Sequence, residues 1–426
     1  MSKVYLLSLG CPKNQVDSEK LLKRLAEKGI HYCADPAAAD LIMVNTCGFI
    51  EAAKRESINE ILKVSALRKK DRSKKLLVYG CLAKRYGDEL LKEIPEIDAL
   101  WGVGDDDQIV DYCSKQLAAK MESAGKDRFS DKPYAYLKIG EGCDRTCSYC
   151  VIPQIRGNYR STGPDRILSD ATELIRSGAR ELNVVAQDIT SYGRDLKGYD
   201  LARLITELNG LTGDFRIRLL YLYPTSIDDR LIETIGSLSK VCRYIDMPLQ
   251  HSEKKILGLM NRGGSRSYFE KLIRRIRSIL PEVAIRTTFI VGFPQETETD
   301  FEHMLAFIKK MKFDRLGVFT YSKESDTVAS GLKGQLTKAE KRSRYNRLME
   351  AQAPISLSKN MALVGRTFRA LVDETGDGIA ITRLDSQAPE IDGVVLVRDP
   401  LVRAGDFINV EITKAYDYDL EGTVIR

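Results

Sequence analysis

The chain has 426 residues, which is long enough for two or three domains that each bury a core of their own. Its hydrophobic share of 43% and charged share of 30% are ordinary for a globular protein, and its net charge of +6 is too mild to indicate a nucleic-acid partner by itself. No run of about 18 apolar residues occurs, and the apolar stretch before Cys11 is too short for a signal peptide, so we expect a cytoplasmic protein with no membrane partner.

The first 125 residues alternate short strands with helices. Strands that are apolar throughout, rather than at every second residue, are typical of a parallel sheet covered by helices on both faces. We predict strands at 3–10, 40–46 and 76–80 and helices at 18–28 and 49–68. The charged tract at 68–75 is expected to form a solvated helix end and loop, with an RNA contact as the alternative. The polar stretch at 121–132 is typical of a linker.

A second series of strands and helices follows and predicts a partial βα barrel. In such barrels the active-site residues lie at the carboxyl ends of the strands. The six predicted strands are 135–139, 181–186, 216–222, 244–247, 284–291 and 315–320.

The last part of the chain changes in character after a charged helix predicted at 338–352. Short alternating runs separated by Gly or Asp turns predict a five-stranded β-barrel, with strands at 367–372, 378–383, 393–397, 406–413 and 419–424. We therefore expect a multidomain α/β protein: a parallel α/β sheet domain at 1–125, a partial βα barrel at 133–355 and a small β-barrel at 360–426.

The nine cysteines favour metal or redox chemistry over disulfides in a chain expected to stay in a reducing compartment. Cys143, Cys147 and Cys150 lie on one loop directly after the first barrel strand, and their spacing suits three ligands of one 4Fe–4S cluster. The fourth iron would stay open for the amine and carboxylate of S-adenosylmethionine (SAM). The alternatives are a zinc site, which lacks a fourth ligand nearby, and a redox pair of Cys147 and Cys150, which leaves Cys143 unexplained.

A second triad is dispersed along the first domain. Cys11, Cys47 and Cys81 each follow one of its three predicted strands, and the carboxyl ends of adjacent parallel strands meet at one crevice. We predict a second 4Fe–4S cluster here, with neighbouring glycines that let the backbone approach it; three buried core cysteines are the alternative. Cys33, Cys113 and Cys242 are interpreted as packing residues.

Further residues are candidates for contacts to SAM or to a substrate. Gln187, Asp188, Gln250 and Gly292 follow predicted barrel strands, and Tyr149 lies between two of the cluster cysteines. Each also fits a turn or cap, and Tyr149 also fits a packing role in its loop. The three histidines are isolated, and we assign no catalytic acid or base.

With these motifs in place, the whole chain resembles the radical SAM methylthiotransferases, which insert a methylthio group. Within that family it is similar to the RimO type, on the segments SLGCPKN at 8–14, DSE at 17–19, IPQIRG at 152–157 and APEIDG at 388–393. The resemblance implies two 4Fe–4S clusters, one on each cysteine triad, SAM, and a C-terminal TRAM-like domain.

The resemblance also implies a reaction. A radical formed from SAM at the barrel cluster removes a hydrogen from the β-carbon of an aspartate in the twelfth small-subunit ribosomal protein. Sulfur held at the second cluster is methylated by a second SAM and transferred to that carbon. The expected partners are this ribosomal protein, free or within an assembling ribosome, and a low-potential electron donor such as a flavodoxin or ferredoxin.

Charge gives an argument that is independent of the resemblance. Residues 361–426 carry 7 lysines and arginines against 12 aspartates and glutamates, a net charge of −5 in a chain of net charge +6. An acidic domain suits a basic protein better than RNA, whose phosphates need Lys and Arg. The alternatives are a tRNA adenosine methylthiotransferase and, from another class, a non-catalytic iron–sulfur electron carrier or RNA-binding protein.

Overall fold

The computed structural model describes residues 2–117 and 132–426. They form two compact units: residues 2–117 with Cys150–Asn158, and Lys132–Tyr149 with Tyr159–Arg426. In these ranges no helix has the length and apolar character that crossing a membrane requires. The predicted linker at 121–132 lies, apart from Lys132, outside the described residues.

The first unit is a parallel sheet between helices, as predicted. Its strands stand in the order β2-β1-β3-β4-β5, and every pairing is parallel. β3 is buried along its whole length, which explains its unbroken apolar sequence. The elements are β1 (Ser2–Ser8), α1 (Pro12–Ala26), β2 (Ile30–Tyr32), β3 (Leu41–Thr46), α2 (Glu51–Lys70), β4 (Lys75–Gly80), α3 (Cys81–Glu93), β5 (Ala99–Trp101) and α4 (Asp106–Gln116).

Several predicted bounds in this unit need correction; the second helix, for example, is Glu51–Lys70 and not 49–68. The first helix begins at Pro12, not at residue 18, because proline fits the first position of a helix, where its missing N–H is not needed. The first strand ends at Ser8, not at residue 10, where Gly10 turns the chain with a φ of +93°. β2 and β5 were not predicted, because three residues are too few to show a period. The helices α3 and α4 were also not predicted.

The second unit contains the predicted partial barrel. Its six main strands are parallel and lie in chain order, as the two sheets β6-β9-β10 and β11-β12-β13, which the bridge between Ile217 and Val241 joins. The elements are β6 (Tyr134–Lys138), β7 (Gly140–Glu141), α5 (Ile152–Arg156, in the first unit), β8 (Arg160–Ser161), α6 (Pro164–Arg176), β9 (Glu181–Val185), α7 (Leu201–Asn209), β10 (Arg216–Leu219), α8 (Asp229–Ser237), β11 (Tyr244–Asp246), α9 (Lys254–Leu259), α10 (Arg266–Ile279), β12 (Ala284–Val291), α11 (Glu298–Met311) and β13 (Arg315–Thr320). Short 3-10 helices lie at Ile189–Ser191, Pro224–Ser226 and Val328–Gly331.

The predicted five-stranded barrel is also present, and it is closed in the order β14-β15-β16-β18-β17. The helix before it does not end at residue 352 as predicted but continues across Pro354 to Met361. Buried side chains hold it in place on both sides of the proline: Gln352 donates to the carbonyl of Phe313 at 3.0 Å and Asn360 to that of Tyr416 at 2.9 Å. The elements are α12 (Lys338–Met361), β14 (Thr367–Gly376), β15 (Ile379–Leu384), β16 (Val395–Arg398), β17 (Phe407–Ala415) and β18 (Leu420–Ile425).

Buried ion pairs fasten the C-terminal barrel to the amino ends of the βα-barrel strands. The carboxylate of Glu181, at the start of β9, lies 2.7 Å from Nε of Arg216, 2.8 Å from Nε of Arg218 and 2.9 Å from Nη1 of Arg383 on β15. Arg383 also pairs with Asp373 on β14. We call this group the basal ion network; its members are Glu181, Arg216, Arg218, Asp373, Arg383 and Asp385.

The APEIDG segment at 388–393 lies at the same end of the βα barrel. Glu390 accepts hydrogen bonds from Tyr134 at 2.8 Å and Tyr136 at 3.2 Å, and Asp392 accepts one from Tyr244 at 2.7 Å. Tyr134 and Tyr244 are the first residues of β6 and β11. The C-terminal barrel therefore covers the amino ends of the strands and leaves their carboxyl ends for chemistry.

Replacing Glu181 with glutamine is expected to destabilise the protein strongly. Burial alone would raise the pKa of Glu181, but its arginine partners hold it far below its usual range. Loss of the carboxylate leaves buried cations uncompensated, which typically costs about 3–5 kcal/mol. Because the folded-state pKa is depressed, we expect the stability difference between wild type and E181Q to be constant above about pH 4.5 and to shrink only below it.

Unfolding of the two proteins in denaturant at several pH values measures this difference. Glu302 is a matched control, since its half-exposed carboxylate pairs with Arg347 at the surface; E302Q is expected to change stability by less than about 1 kcal/mol. An E181Q variant as stable as wild type at pH 7 would contradict the prediction.

Candidate functional site

The structure brings Cys11, Cys47 and Cys81 together at one edge of the parallel sheet. They follow β1, β3 and β4, which are adjacent strands. The order of the strands reverses between β1 and β3, which is where cofactors of such sheets bind. Burial, and then the nearby thiols of Cys11 and Cys81, raise the pKa of Cys47 to about 12. The thiol of Cys47 is therefore protonated when no metal displaces the proton.

Two of these cysteines lie at helix N-termini. Cys11 is the N-cap of α1, and Cys81 is the first residue of α3. Free backbone N–H groups and the positive end of the helix dipole favour a negatively charged sulfur at such positions. The early start of α1 thus changes the predicted site, because Cys11 is a helix cap rather than a loop residue.

The glycines beside these cysteines allow the loops to pack against one another. A Cβ on Gly10 would lie 2.6 Å from Cβ of Cys47, and one on Gly48 would lie 2.8 Å from the backbone of Leu82. Gly80 has a φ of +100°, which other residues rarely adopt. These glycines therefore allow the three loops to meet tightly, while their predicted close approach to a cofactor stays a prediction.

Polar side chains surround the N-terminal triad. Asn14 donates to the carbonyls of Leu9 at 2.9 Å and Thr46 at 3.1 Å, and thereby ties two of the loops together. Arg156, on α5, donates to Oδ1 of Asn14 at 2.6 Å and lies 3.7 Å from Sγ of Cys81. Asp17 pairs with Arg156 at 3.1 Å. The SLGCPKN and IPQIRG segments, which the sequence showed only as motifs, therefore meet at this triad.

The loop with Cys143 and Cys147 follows β7 in the second unit. The backbone N–H of Arg145 points at Sγ of Cys143 from 3.4 Å, and Nη1 of Arg262 lies 3.5 Å from Sγ of Cys147. Burial raises the pKa of Cys143. Cys150, the third residue of the motif, is the first residue of the segment that belongs to the first unit.

The turn after α9 holds this cysteine loop. The N–H of Ser148 donates to the carbonyl of Met260 at 2.9 Å, and its hydroxyl donates to that of Leu259 at 2.7 Å. Asn261 donates to the carbonyl of Thr146 at 2.9 Å. Sequence reasoning missed this turn, because nothing local relates residues 259–262 to a loop more than a hundred positions earlier.

Gln187 and Asp188 lie at the carboxyl end of β9, as predicted, and have different surroundings. Gln187 donates to Glu141 at 3.0 Å, and its amide oxygen is buried without a partner among the described residues. Asp188 caps the following 3-10 helix and accepts a hydrogen bond from Nε of Arg145 at 2.9 Å. Asp188 therefore positions Arg145, two residues after Cys143. The sequence alone did not indicate this role.

The other three candidates lie around the same end of the barrel. Gln250 has a φ of +70°, and its amide oxygen is also buried without a partner within the described ranges. Gly292 has a φ of +71°, and its N–H donates to Glu296 at 3.0 Å. Tyr149 packs edge-on against Phe293, with ring centroids 6.4 Å apart. This contact fits the packing alternative for Tyr149, and its contact with SAM stays a prediction.

The donor sets fit iron–sulfur chemistry. In the described part of the chain, no three His, Cys, Asp or Glu side chains stand close enough to ligate a single metal ion. Each thiolate on a 4Fe–4S cluster binds a different iron, so its ligands stand farther apart than those of one ion. Thiols together with N–H groups directed at sulfur are the environment that such clusters use.

Three family models match the chain. "Uncharacterized protein family UPF0004" covers residues 3–102, "Radical SAM superfamily" covers 137–308 and "TRAM domain" covers 364–425. The first contains Cys11, Cys47 and Cys81, and the second contains Cys143, Cys147 and Cys150.

The chain is also similar over its full length to proteins named ribosomal protein uS12 methylthiotransferase RimO. It is 49% identical to that of Thermodesulfovibrio yellowstonii over 100% of both chains, and 43% identical to that of Geobacter sulfurreducens over 99% of this chain and 98% of the relative. Among solved structures, the radical S-adenosylmethionine methyltransferase TsrM of Kitasatospora setae has a similar fold, with a TM-score of 0.56 at 11% identity over 89% of this chain and 81% of that one.

Proposed function

This chain belongs to the RimO family of radical SAM methylthiotransferases, and we propose on that basis that it adds a methylthio group to the β-carbon of an aspartate in ribosomal protein uS12. The single observation that carries the proposal is full-length identity of 42–49% to proteins of that name. A cytoplasmic location is part of the proposal, since ribosomal proteins are made and assembled there.

A radical SAM enzyme uses a 4Fe–4S cluster and SAM. We propose that Cys143, Cys147 and Cys150 hold this cluster and that Cys11, Cys47 and Cys81 hold a second one. When bound, the barrel cluster and SAM supply a carbon radical that takes a hydrogen from the substrate, and the second cluster supplies the sulfur. The three-domain division at 1–125, 133–355 and 360–426 remains part of the proposal.

The residues around the barrel loop position the reactants. Asp188 fixes Arg145, whose N–H faces Cys143, and the turn at 259–262 fixes the backbone on both sides of Cys147. We propose that the buried amide oxygens of Gln187 and Gln250 accept hydrogen bonds from the amine or hydroxyl groups of SAM, because a buried acceptor without a partner is costly. Tyr149 and Gly292 complete the proposed SAM contacts.

The charge of the C-terminal domain supports a protein substrate. Residues 364–425 match the TRAM domain, and residues 361–426 have a net charge of −5. Four carboxylates of this domain (Asp373, Asp385, Glu390 and Asp392) and Arg383 belong to the part that contacts the βα barrel. The remaining 8 acidic and 6 basic residues still give a net charge of −2, which favours a basic ribosomal protein over nucleic-acid phosphates. A low-potential flavodoxin or ferredoxin is the proposed electron donor.

Anaerobic turnover of the reconstituted enzyme tests the function. The enzyme is supplied with SAM, sulfide and reductant, and receives uS12 or tRNA in separate reactions. Mass spectrometry is expected to find the added methylthio mass on an aspartate of uS12 and none on tRNA. Product on tRNA alone would overturn the proposed substrate but leave the radical chemistry standing, whereas absence of 5′-deoxyadenosine would overturn the enzymatic role.

A further inference from the structure

Arg262 is a half-buried cation at the barrel cysteine loop. Its guanidinium donates to the carbonyl of Pro248 at 2.7 Å, lies 4.5 Å from the ring centre of Tyr223 and reaches Sγ of Cys147 at 3.5 Å. No carboxylate of the described residues forms an ion pair with it. The thiol of Cys147 is thus the one neighbour in its hydrogen-bond set that can carry a negative charge.

Most other buried guanidiniums in the described part of this protein are paired with carboxylates; Arg315, which donates to the carbonyl of Asp314 and to Oδ1 of Asn360, is an exception. Six paired arginines are Arg156, Arg216, Arg218, Arg286, Arg344 and Arg383. Arg145 shows the contrast most directly, since it lies over the same Tyr223 ring, at 3.8 Å, and is paired with Asp188. A partly desolvated cation without a counter-charge is unfavourable. Among the described residues, Arg262 therefore has no carboxylate partner like the one that Asp188 provides for Arg145.

We infer that Arg262 is the counter-cation of the barrel iron–sulfur cluster: it donates a hydrogen bond to the Cys147 thiolate and raises the reduction potential of the cluster. The inference rests on the proposed role of Cys147 as a ligand. Hydrogen bonds to ligand sulfurs and nearby positive charge stabilise the reduced cluster, which carries one more negative charge. The planar fork of arginine lets one nitrogen bind the Pro248 carbonyl while the other faces the sulfur. Arg262 is thus a positioning residue for the electron-accepting step.

A redox titration without SAM tests the inference. It is done on the full-length Cys47→Ala protein, so that the barrel cluster is the one observed, with Arg262→Met or Arg262→Lys added and the reduced cluster followed by electron paramagnetic resonance. At the potential where the parent is half reduced, we expect the ratio of reduced to oxidised cluster in R262M to be about tenfold lower, a shift of about 59 mV for one electron. R262K, which keeps the charge but loses the fork, is expected to shift less.

Arg266 offers a matched control four residues away, because it is paired with Glu253; R266M is expected to leave the midpoint potential unchanged. The unfolding temperature of the cluster-free protein gives a second readout. R262M loses the hydrogen bond to Pro248 and should lower it modestly. This decrease should be smaller than the decrease in the cluster-loaded protein, whereas a purely structural arginine would give equal decreases.

Three outcomes would overturn the inference. One is an unchanged midpoint in an R262M protein that retains its full iron content. Another is an unchanged midpoint with weakened SAM binding, which would assign the guanidinium to SAM. The third is an equal loss of stability with and without the cluster. A parent protein that binds no iron at all would instead overturn the proposed ligands, and this inference with them.

Discussion

Replacing Cys147 with alanine is expected to abolish SAM cleavage. The variant loses one of the three proposed ligands of the barrel cluster, and two cysteines are too few to hold the cluster in the position where its open iron can bind SAM. The loop itself should keep its shape, because the bonds of Ser148 to Leu259 and Met260 do not involve the thiol. Anaerobic incubation with SAM and dithionite, with 5′-deoxyadenosine measured by chromatography, is the assay.

Cys242 provides a control in the same unit. It is buried to 1% exposure in the barrel core, and Cys242→Ala should form 5′-deoxyadenosine at a rate close to that of wild type. If Cys147→Ala cleaved SAM as fast as wild type, the motif at 143–150 would not be the site of the barrel cluster.

Replacing Cys47 with alanine is expected to separate the two halves of the reaction. The variant removes a thiol from the N-terminal triad, in which Cys47 lies against Gly10, between the loops of Cys11 and Cys81. SAM cleavage should persist in part, because the cysteines at 143, 147 and 150 are intact. The methylthiolated product should be absent, because the proposed source of sulfur is lost.

The measurement compares 5′-deoxyadenosine with methylthiolated uS12 in one reaction. Cys113→Ala is the control, since Cys113 is a fully buried core residue of the same unit; it should give both products. Full methylthiolation by the Cys47 variant would contradict the assignment of a second cluster to this triad.

Much of the fold follows from local sequence patterns. The starts of the barrel strands at Glu181, Arg216, Tyr244, Ala284 and Arg315 were predicted to the residue, because buried parallel strands are apolar runs between polar ends. Three of their ends were not: β9, β10 and β11 stop one, three and one residues before their predicted ends. Helix ends were harder to predict. Pro12 is compatible with a turn as well as with the start of a helix. Pro354 predicts the end of a helix unless the packing of Gln352 and Asn360 is known.

The candidate site also has one part that the sequence predicts and one part that it does not. Cysteines directly after strands can be found in a sequence, because strand ends converge in a parallel sheet. Arg156 and Arg262 cannot, since their sulfur partners lie 75 and 115 positions away and neither arginine belongs to a local pattern. The basal ion network is hidden for the same reason, as Glu181 and Arg383 are 202 positions apart.

The attachment of the C-terminal barrel affects how its role can be studied. Truncation after α12 would take away Arg383, Asp373 and the 388–393 segment, leave Arg216 and Arg218 on one carboxylate and open the amino end of the βα barrel to water. An inactive deletion mutant would then report a damaged barrel, not a missing substrate contact. Chimeras in which the C-terminal domain comes from a relative face the same problem. The donor domain must supply residues that pair with Glu181, Arg216 and Arg218 as well as residues that contact the substrate. Point substitutions on the outer surface of the domain are therefore the better test of its role in substrate recognition.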